Sequence, residues 1–303
     1  MALASAPLPA AAAPTVLDAR PRTVILTAFA AERAALEGGL ARRRAYRVNG
    51  IEVLTGRLAG KPVVLLESGV SMVNAAMTTQ WVIDRFRVRR IVFSGIAGGV
   101  DPGLAVGDVV AAERWSQYLE VVLARKVGDR FEPAARNLGP EPLPNYGMLF
   151  PRPVTVGNAA ERARPHQWFF ADPGLLALAK TAVADVALAR CAPPRGDAAA
   201  APQCLDHQPR VVVGGNGISG PAFADNAEYR AYLFATFHAQ VLDMETAATA
   251  QVAYANRVPF IAFRSLSDLA GGDGGPNQAR IFGLLAARNA AAVVTRFVAA
   301  LPD

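Results

Sequence analysis

The chain has 303 residues, 52% of them hydrophobic and 18% charged, enough apolar material for one large α/β domain or two small ones and too much for wholesale disorder. Its net charge of +6 comes from 31 basic and 25 acidic residues. The basic clusters at 42–44 and 85–90 read as solvated helix ends, with attraction of anionic substrates as a weaker reading. No nucleic-acid motif and no run of transmembrane length accompany them, so neither nucleic acid nor membrane is expected as a partner.

The first residues, to about 20, form a disordered or signal-derived tail; 2–14 are low-complexity, with Ala-x-Ala cleavage options but no charged n-region. An exported, periplasmic or secreted protein is one reading of that tail; a cytoplasmic protein with an inert N-terminus is the other. Residues 24–28 are apolar enough for a buried strand, and 30–40 follow as a helix. Two β-rich runs, 51–58 and 62–67, flank the hairpin signal Ala59-Gly60-Lys61. Ser68-Gly69 leads into a helix over 72–86, then a strand at 90–94 and another beginning at Gly107-Asp108. From about 114 to 170 aromatics, prolines and glycines occur without periodicity; a structureless insert of that length would be unusual, so it is expected to pack on the core and shape a pocket. A helix is predicted over 173–188, a strand over 209–214, a helix start with a capping box at Asp225–Glu228, and a last helix over 277–301. Strands and helices alternate with no internal linker, which predicts a single domain over 21–303.

Cys191 and Cys204 flank a Pro- and Ala-rich loop. Such a pair suits a disulfide in an oxidising compartment; two unrelated thiols is the other reading. Two cysteines and three scattered histidines show no ligand spacing, so no metal is expected.

Four segments carry chemistry. Val241-Leu-Asp-Met-Glu-Thr246 reads as a strand with an acidic stop, and 258–269 as a buried strand ending in Ser267-Asp268. Two carboxylates thus leave strand ends that bracket one helix, and ligands of open α/β sheets bind at the carboxyl ends of strands. Thr23–Arg33 places Glu32 on the helix after the first strand. Ile91–Gly99, closed by Val106-Gly-Asp108, is a glycine-rich turn, and Ser219-Gly-Pro-Ala-Phe-Ala224 is a small-residue loop with one aromatic. In this order the segments resemble the nucleoside phosphorylase and nucleosidase superfamily, in particular the methylthioadenosine/S-adenosylhomocysteine nucleosidases. Asn226–Arg230 and Arg264–Gly272 resemble the branch that includes bark storage proteins.

The resemblance implies a three-layer α/β/α fold around a twisted mixed sheet and cleavage of the N-glycosidic bond of purine nucleosides, with no cofactor. On it, Asp268 is the general acid at purine N7, oriented by Ser267, and Glu32 the general base for water. Glu245 clamps the ribose hydroxyls with Met244 on the sugar face, and Phe223 stacks on the base. Phe29 lines the 5′ wall. Ser68, Gly69 and Gly95 let backbone approach the sugar or an anion. Arg264, on the face of Asp268 by strand alternation, holds a carboxylate or an anion. The chain departs from the nucleosidase pattern at Ile96, where a polar residue is common. Each of these residues also has a plain structural reading as a cap, a turn or a core side chain.

The implied substrates are 5′-methylthioadenosine and S-adenosylhomocysteine. A phosphate-dependent phosphorylase is the alternative, disfavoured because the turn 27–32 has no arginine to hold phosphate. A storage or nucleoside-binding protein is the other, disfavoured because storage needs none of the three acids. A dinucleotide-binding reading of Ser94–Gly99 fails because the turn after the first strand has no glycine. In related nucleosidases a second subunit completes the 5′ wall. With Trp115, Tyr118, Tyr146, Phe150, Trp168 and Phe169 reading as exposed aromatics, a homodimer is expected.

Overall fold

The computed structural model describes residues 16–134, 138–192 and 202–302. The expected tail therefore lies outside the described residues up to residue 15, and so does most of the loop between the two cysteines. The elements are β1 (Asp18–Thr27), α1 (Ala30–Glu37), β2 (Leu40–Val48), β3 (Ile51–Leu58), β4 (Lys61–Glu67), α2 (Met72–Arg85), β5 (Phe86–Gly99), β6 (Val109–Ala111) and β7 (Arg114–Gln117). Seven short strands follow: β8 (Val121–Leu123), β9 (Arg125–Val127), β10 (Arg130–Glu132), β11 (Leu149–Pro151), β12 (Val154–Val156), β13 (Arg164–His166) and β14 (Phe169–Phe170). Then come α3 (Pro173–Ala182), β15 (Val211–Val213), β16 (Asn216–Ser219), α4 (Ala227–Phe237), β17 (Ala239–Asp243), α5 (Thr246–Asn256), β18 (Phe260–Asp268) and α6 (Ala279–Ala300).

The central sheet runs β14-β7-β16-β17-β5-β1-β4-β3-β2, with β18 paired to β5 and β6, and β15 to β6. It is mixed. The pairs β1–β4, β1–β5, β5–β18 and β16–β17 are parallel, while β5–β17 and β6–β18 are antiparallel. Alternation explains the layers. Ile25, Leu65, Val92, Ile261 and Phe263 pack on one face with Leu36 of α1, Leu176 of α3 and Phe297 of α6. Their neighbours Val24, Leu26, Leu66, Phe93 and Ala262 face the other way, onto Val82 of α2 and Ala250 of α5. A strand buried on both faces reads as a continuous apolar run, as 91–93 and 260–263 do. Each such side chain contributes roughly 1.5–3 kcal/mol by leaving water.

Several expectations change. The helix after β1 stops at Glu37 because Gly38-Gly39 breaks it, and Leu40 opens β2. Arg42, Arg43 and Arg44 therefore lie on an edge strand rather than at a helix end, where charge discourages further strand pairing. Asp18, inside the expected tail, already belongs to β1. The strand expected at 90–94 is the middle of the longer β5, and the helix from Pro173 ends at Ala182. At α4 the cap is Asn226, whose side chain accepts from the Tyr229 N–H at 2.7 Å. The insert is built of small antiparallel pairs (β9–β10, β8–β11, β12–β13) and closes through β14 on β7. Trp115 and Phe169, expected at a surface, are buried in their own chain because β7 and β14 belong to the central sheet, and Tyr118, expected there too, is buried against Ile218, Leu233 and Phe237; Tyr146, Phe150 and Trp168 are half-buried. By length and composition α6 could cross a bilayer, against the expectation that no segment would, yet 61% of its apolar window is buried inside the fold, packed on β18 and β5. Cys191 and Cys204 are joined by a disulfide.

Candidate active site

β5 is the pivot of the site. Its middle pairs with β1 and β18, while Gly98 and Gly99 at its end pair with Leu242 and Val241 of β17. β1 leaves β5 after Phe93 while β18 stays paired to Gly98, and residues at or just past the ends of β1, β5, β17 and β18 line one cavity. Its volume is about 200 Å³, below the roughly 300–1,000 Å³ usual for drug-sized ligands. Glu32, Glu245 and Asp268 all line it, with Phe29, Val70 and Phe223 among the apolar walls.

Glu32 sits in the first turn of α1 and is buried. Its Oε2 accepts from the Ala28 N–H at 2.6 Å and its Oε1 from the Ile96 N–H at 2.8 Å. Burial pushes the carboxyl up to about 7, against the pull of Arg264 and of the two N–H groups. Gly95 makes this packing possible. A Cβ there would lie 2.3 Å from Arg264 Nη1 and 2.7 Å from Glu32 Oε1.

At the end of β17, Asp243 accepts from Ser219 Oγ at 2.5 Å and from the Glu245 and Thr246 N–H groups at 3.1 and 3.0 Å. Arg264 Nε lies 2.7 Å from its other oxygen. Glu245 accepts from the Ser71 N–H at 2.9 Å and from Arg264 Nη2 at 3.2 Å. Burial raises its carboxyl above the usual range; Arg264 opposes this and Asp243 adds to it. Ser71 holds φ at 81°, the left-handed region, so the backbone carries strain at the residue that donates to Glu245. Each Glu245 oxygen thus accepts one bond and has capacity for a second, enough for two hydroxyl donors at the cavity it lines.

Arg264 is fully buried. Besides the two acids it donates to Thr246 Oγ1 at 2.9 Å and to the Ile96 carbonyl at 3.1 Å, and its guanidinium lies 4.2 Å from the centre of the Phe93 ring. The expected shared face with Asp268 is interrupted by a register shift between Leu266 and Asp268. Asp268 lines the cavity and Arg264 does not. Asp268 accepts from Ser267 Oγ at 2.8 Å, the Ala270 N–H at 2.9 Å and Asn277 Nδ2 at 3.2 Å. Burial raises its carboxyl, and these three donors hold it down.

Among the residues expected from sequence, Phe29, Glu32, Phe223, Met244, Glu245, Ser267 and Asp268 line the cavity. Ser68, Gly69, Gly95 and Arg264 lie outside its lining and act from behind. Ser68 Oγ donates to the Gly69 carbonyl, and Thr78 Oγ1 to the Ser68 carbonyl. Sequence reasoning missed Val70, Leu242, Asp243 and Asn277. The acidic stop at 243 was visible, but its role depends on Ser219 and Arg264, which only the fold brings near. Phe223 stands at the rim, 64% exposed. Among the described residues no group of three or more His, Cys, Asp or Glu could hold a metal. The arrangement places the buried carboxyls of Glu32, Glu245 and Asp268, able to give or take protons and to accept hydrogen bonds, around one mainly apolar slot. Among the described residues no Lys or Arg lines that slot.

Residues 22–299 match the family model described as the phosphorylase superfamily. A 5′-methylthioadenosine/S-adenosylhomocysteine nucleosidase of Mycobacterium bovis is 28% identical over 279 residues, covering 88% of this chain and 92% of that protein. The enzyme of the same name from Staphylococcus saprophyticus is 29% identical over 252 residues, covering 83% and 88%. The Neisseria meningitidis nucleosidase, solved with methylthio-immucillin-A, superposes with a TM-score of 0.68 at 25% identity over 92% of this chain and 99% of that one. A futalosine hydrolase of Helicobacter pylori shares the fold, with a TM-score of 0.66 at 21% identity over 93% and 98%.

Proposed function

The chain belongs to the phosphorylase superfamily, and we propose that within it the protein is a nucleosidase that hydrolyses the N-glycosidic bond of 5′-methylthioadenosine, S-adenosylhomocysteine or related purine nucleosides and releases adenine. The observation that carries this reading is the convergence of Glu32, Glu245 and Asp268 on one cavity. Asp268 gives its proton to N7 of the base as the C1′–N9 bond breaks, so the base leaves neutral. Water attacks C1′ of the oxocarbenium-like sugar and its proton passes to Glu32, a base poised near the operating pH. Glu245 accepts the 2′ and 3′ hydroxyls, Met244 lies on the sugar face, Phe223 stacks on the base and Phe29 lines the 5′ wall.

Water rather than phosphate fits the charge of the slot. A phosphate dianion calls for cationic donors, and Arg264 is committed to Asp243 and Glu245, while Arg230 donates to the Gly99 carbonyl. Storage alone would not require three carboxylates with raised protonation. The disulfide supports an oxidising, periplasmic or secreted location. A homodimer is favoured by a surface the insert does not supply. Val70, Val73 and Met77, at and along α2, are 44, 80 and 58% exposed, and Val70 is also part of the cavity wall. Adenine release from 5′-methylthioadenosine in phosphate-free buffer tests the reading. Turnover is expected there, rising with pH through about 7 as Glu32 loses its proton. A strict phosphate requirement would make the protein a phosphorylase, and binding without release a storage protein.

A further inference from the structure

Asp268 Oδ1 accepts two hydrogen bonds, from the Ala270 N–H at 2.9 Å and from Asn277 Nδ2 at 3.2 Å. A carboxyl oxygen has two lone pairs in its plane, so Oδ1 is full. Oδ2 meets only Ser267 Oγ, at 2.8 Å. That hydroxyl has a second acceptor in reach, the Ala97 carbonyl at 3.3 Å. It can turn its hydrogen to Ala97 when Oδ2 carries a proton, and back to Oδ2 once the proton is gone.

The orientation of the Asn277 amide is set from its other end. Its Oδ1 accepts from the Ala279 N–H at 2.9 Å, at the start of α6. The NH₂ must therefore point to the acids. It also lies 3.2 Å from Asp225 Oδ1, in the loop that carries Phe223. A second bond ties the same two loops, from the Asn226 N–H to the Ala270 carbonyl at 3.1 Å. Gly271 packs there so closely that a Cβ would meet the Asn226 nitrogen at 2.3 Å.

We propose that Asn277 is a positioning residue for Asp268: it fills the last acceptor place on Oδ1, so that the transferable proton sits on Oδ2, and it couples that carboxyl to the Phe223 loop through Asp225. This rests on the nucleosidase reading for its catalytic meaning, but the placement itself is a property of the free protein. The other charges around Asp268 are Asp273, which acts on it directly, and Arg230, near Asp273 and bound through Nε to the Gly99 carbonyl. Glu32, Asp243 and Glu245 also line the cavity, and Arg264 lies among them.

The test compares wild type with Asn277→Ala and Asn277→Ser; serine keeps an oxygen for the Ala279 N–H but cannot reach both acids. The Asp268 carboxyl is titrated by ¹³C NMR, assigned with Asp268→Asn, and kcat is followed against pH. Losing a donor to the carboxylate favours the protonated form. In both variants the Asp268 titration and the descending limb of kcat should move up by about one pH unit. At neutral pH kcat should fall by about tenfold to a hundredfold with KM little changed. An unmoved Asp268 titration in both variants overturns the proposal, whether or not the wild type releases adenine. A loss confined to alanine and restored in full by serine also overturns it, reducing Asn277 to a helix cap. A wild type that releases no adenine defeats the nucleosidase reading alone, because the NMR titration still decides the placement.

Discussion

Four carboxyl groups, those of Glu32, Asp243, Glu245 and Asp268, and one guanidinium share a small buried volume, and the division of labour among them follows from their partners. Asp243 is held by Ser219, Thr246 and Arg264 and ties β16, α5 and β18 together. Glu32 and Asp268 meet mostly N–H and O–H dipoles, which leaves their protonation open to adjustment by burial. Asp268→Asn should therefore lower kcat by at least about a hundredfold with KM nearly unchanged, because an amide has no acidic proton to give. Steady-state kinetics would check it, and retention of more than about a tenth of the rate would remove Asp268 from the acid role. Glu245 and Asp268 were legible in the sequence because a carboxylate at a strand end in an α/β chain is chemically conspicuous; Glu32, on a helix, was reached only through the resemblance of 23–33 to the nucleosidases. Arg264 and Asn277 were not read so well. What they do depends on residues far along the chain, and no local pattern announces such partners.

At the scale of elements, the apolar runs of β1, β5 and β18 were legible because burial on both faces leaves a continuous signature. β2 was not. Its arginines hide the alternation, and only its place at the sheet edge explains them. The insert defeated periodicity for a related reason: pieces of two to four residues are too short to show a period, and β7 and β14 are set by pairing across more than fifty residues. The glycine turn at the end of β5 was visible, but its purpose is steric. Gly95→Ala should displace Arg264 and Glu32 together, costing about 1–3 kcal/mol in stability from overpacking and about a hundredfold in kcat from misplaced groups. Thermal melts and kinetics on the same sample would show both; a variant with wild-type rate would mean the two side chains can retreat without loss.

For the molecule as a whole, Val70, Val73 and Met77 expose apolar surface along α2 beside the cavity, while Trp115, Tyr118 and Phe169 of the insert are buried in its own core. Val73→Glu, on the most exposed of these positions, should convert a dimer to monomers in light scattering over a dilution series and raise KM, since Val70 belongs to both surfaces. An unchanged mass would place the interface elsewhere. The gathering of distant segments at the end of β5 also bears on how the protein comes into being. The hydrogen bond from Ser71 to Glu245 joins residues 174 positions apart, and the bond from Ile96 to Glu32 spans 64. Contacts of such separation form late, after the intervening chain has closed into place. A nascent or partly refolded chain can hold several strands and helices and still have no site at all, so recovery of activity would time the last step of folding rather than the first.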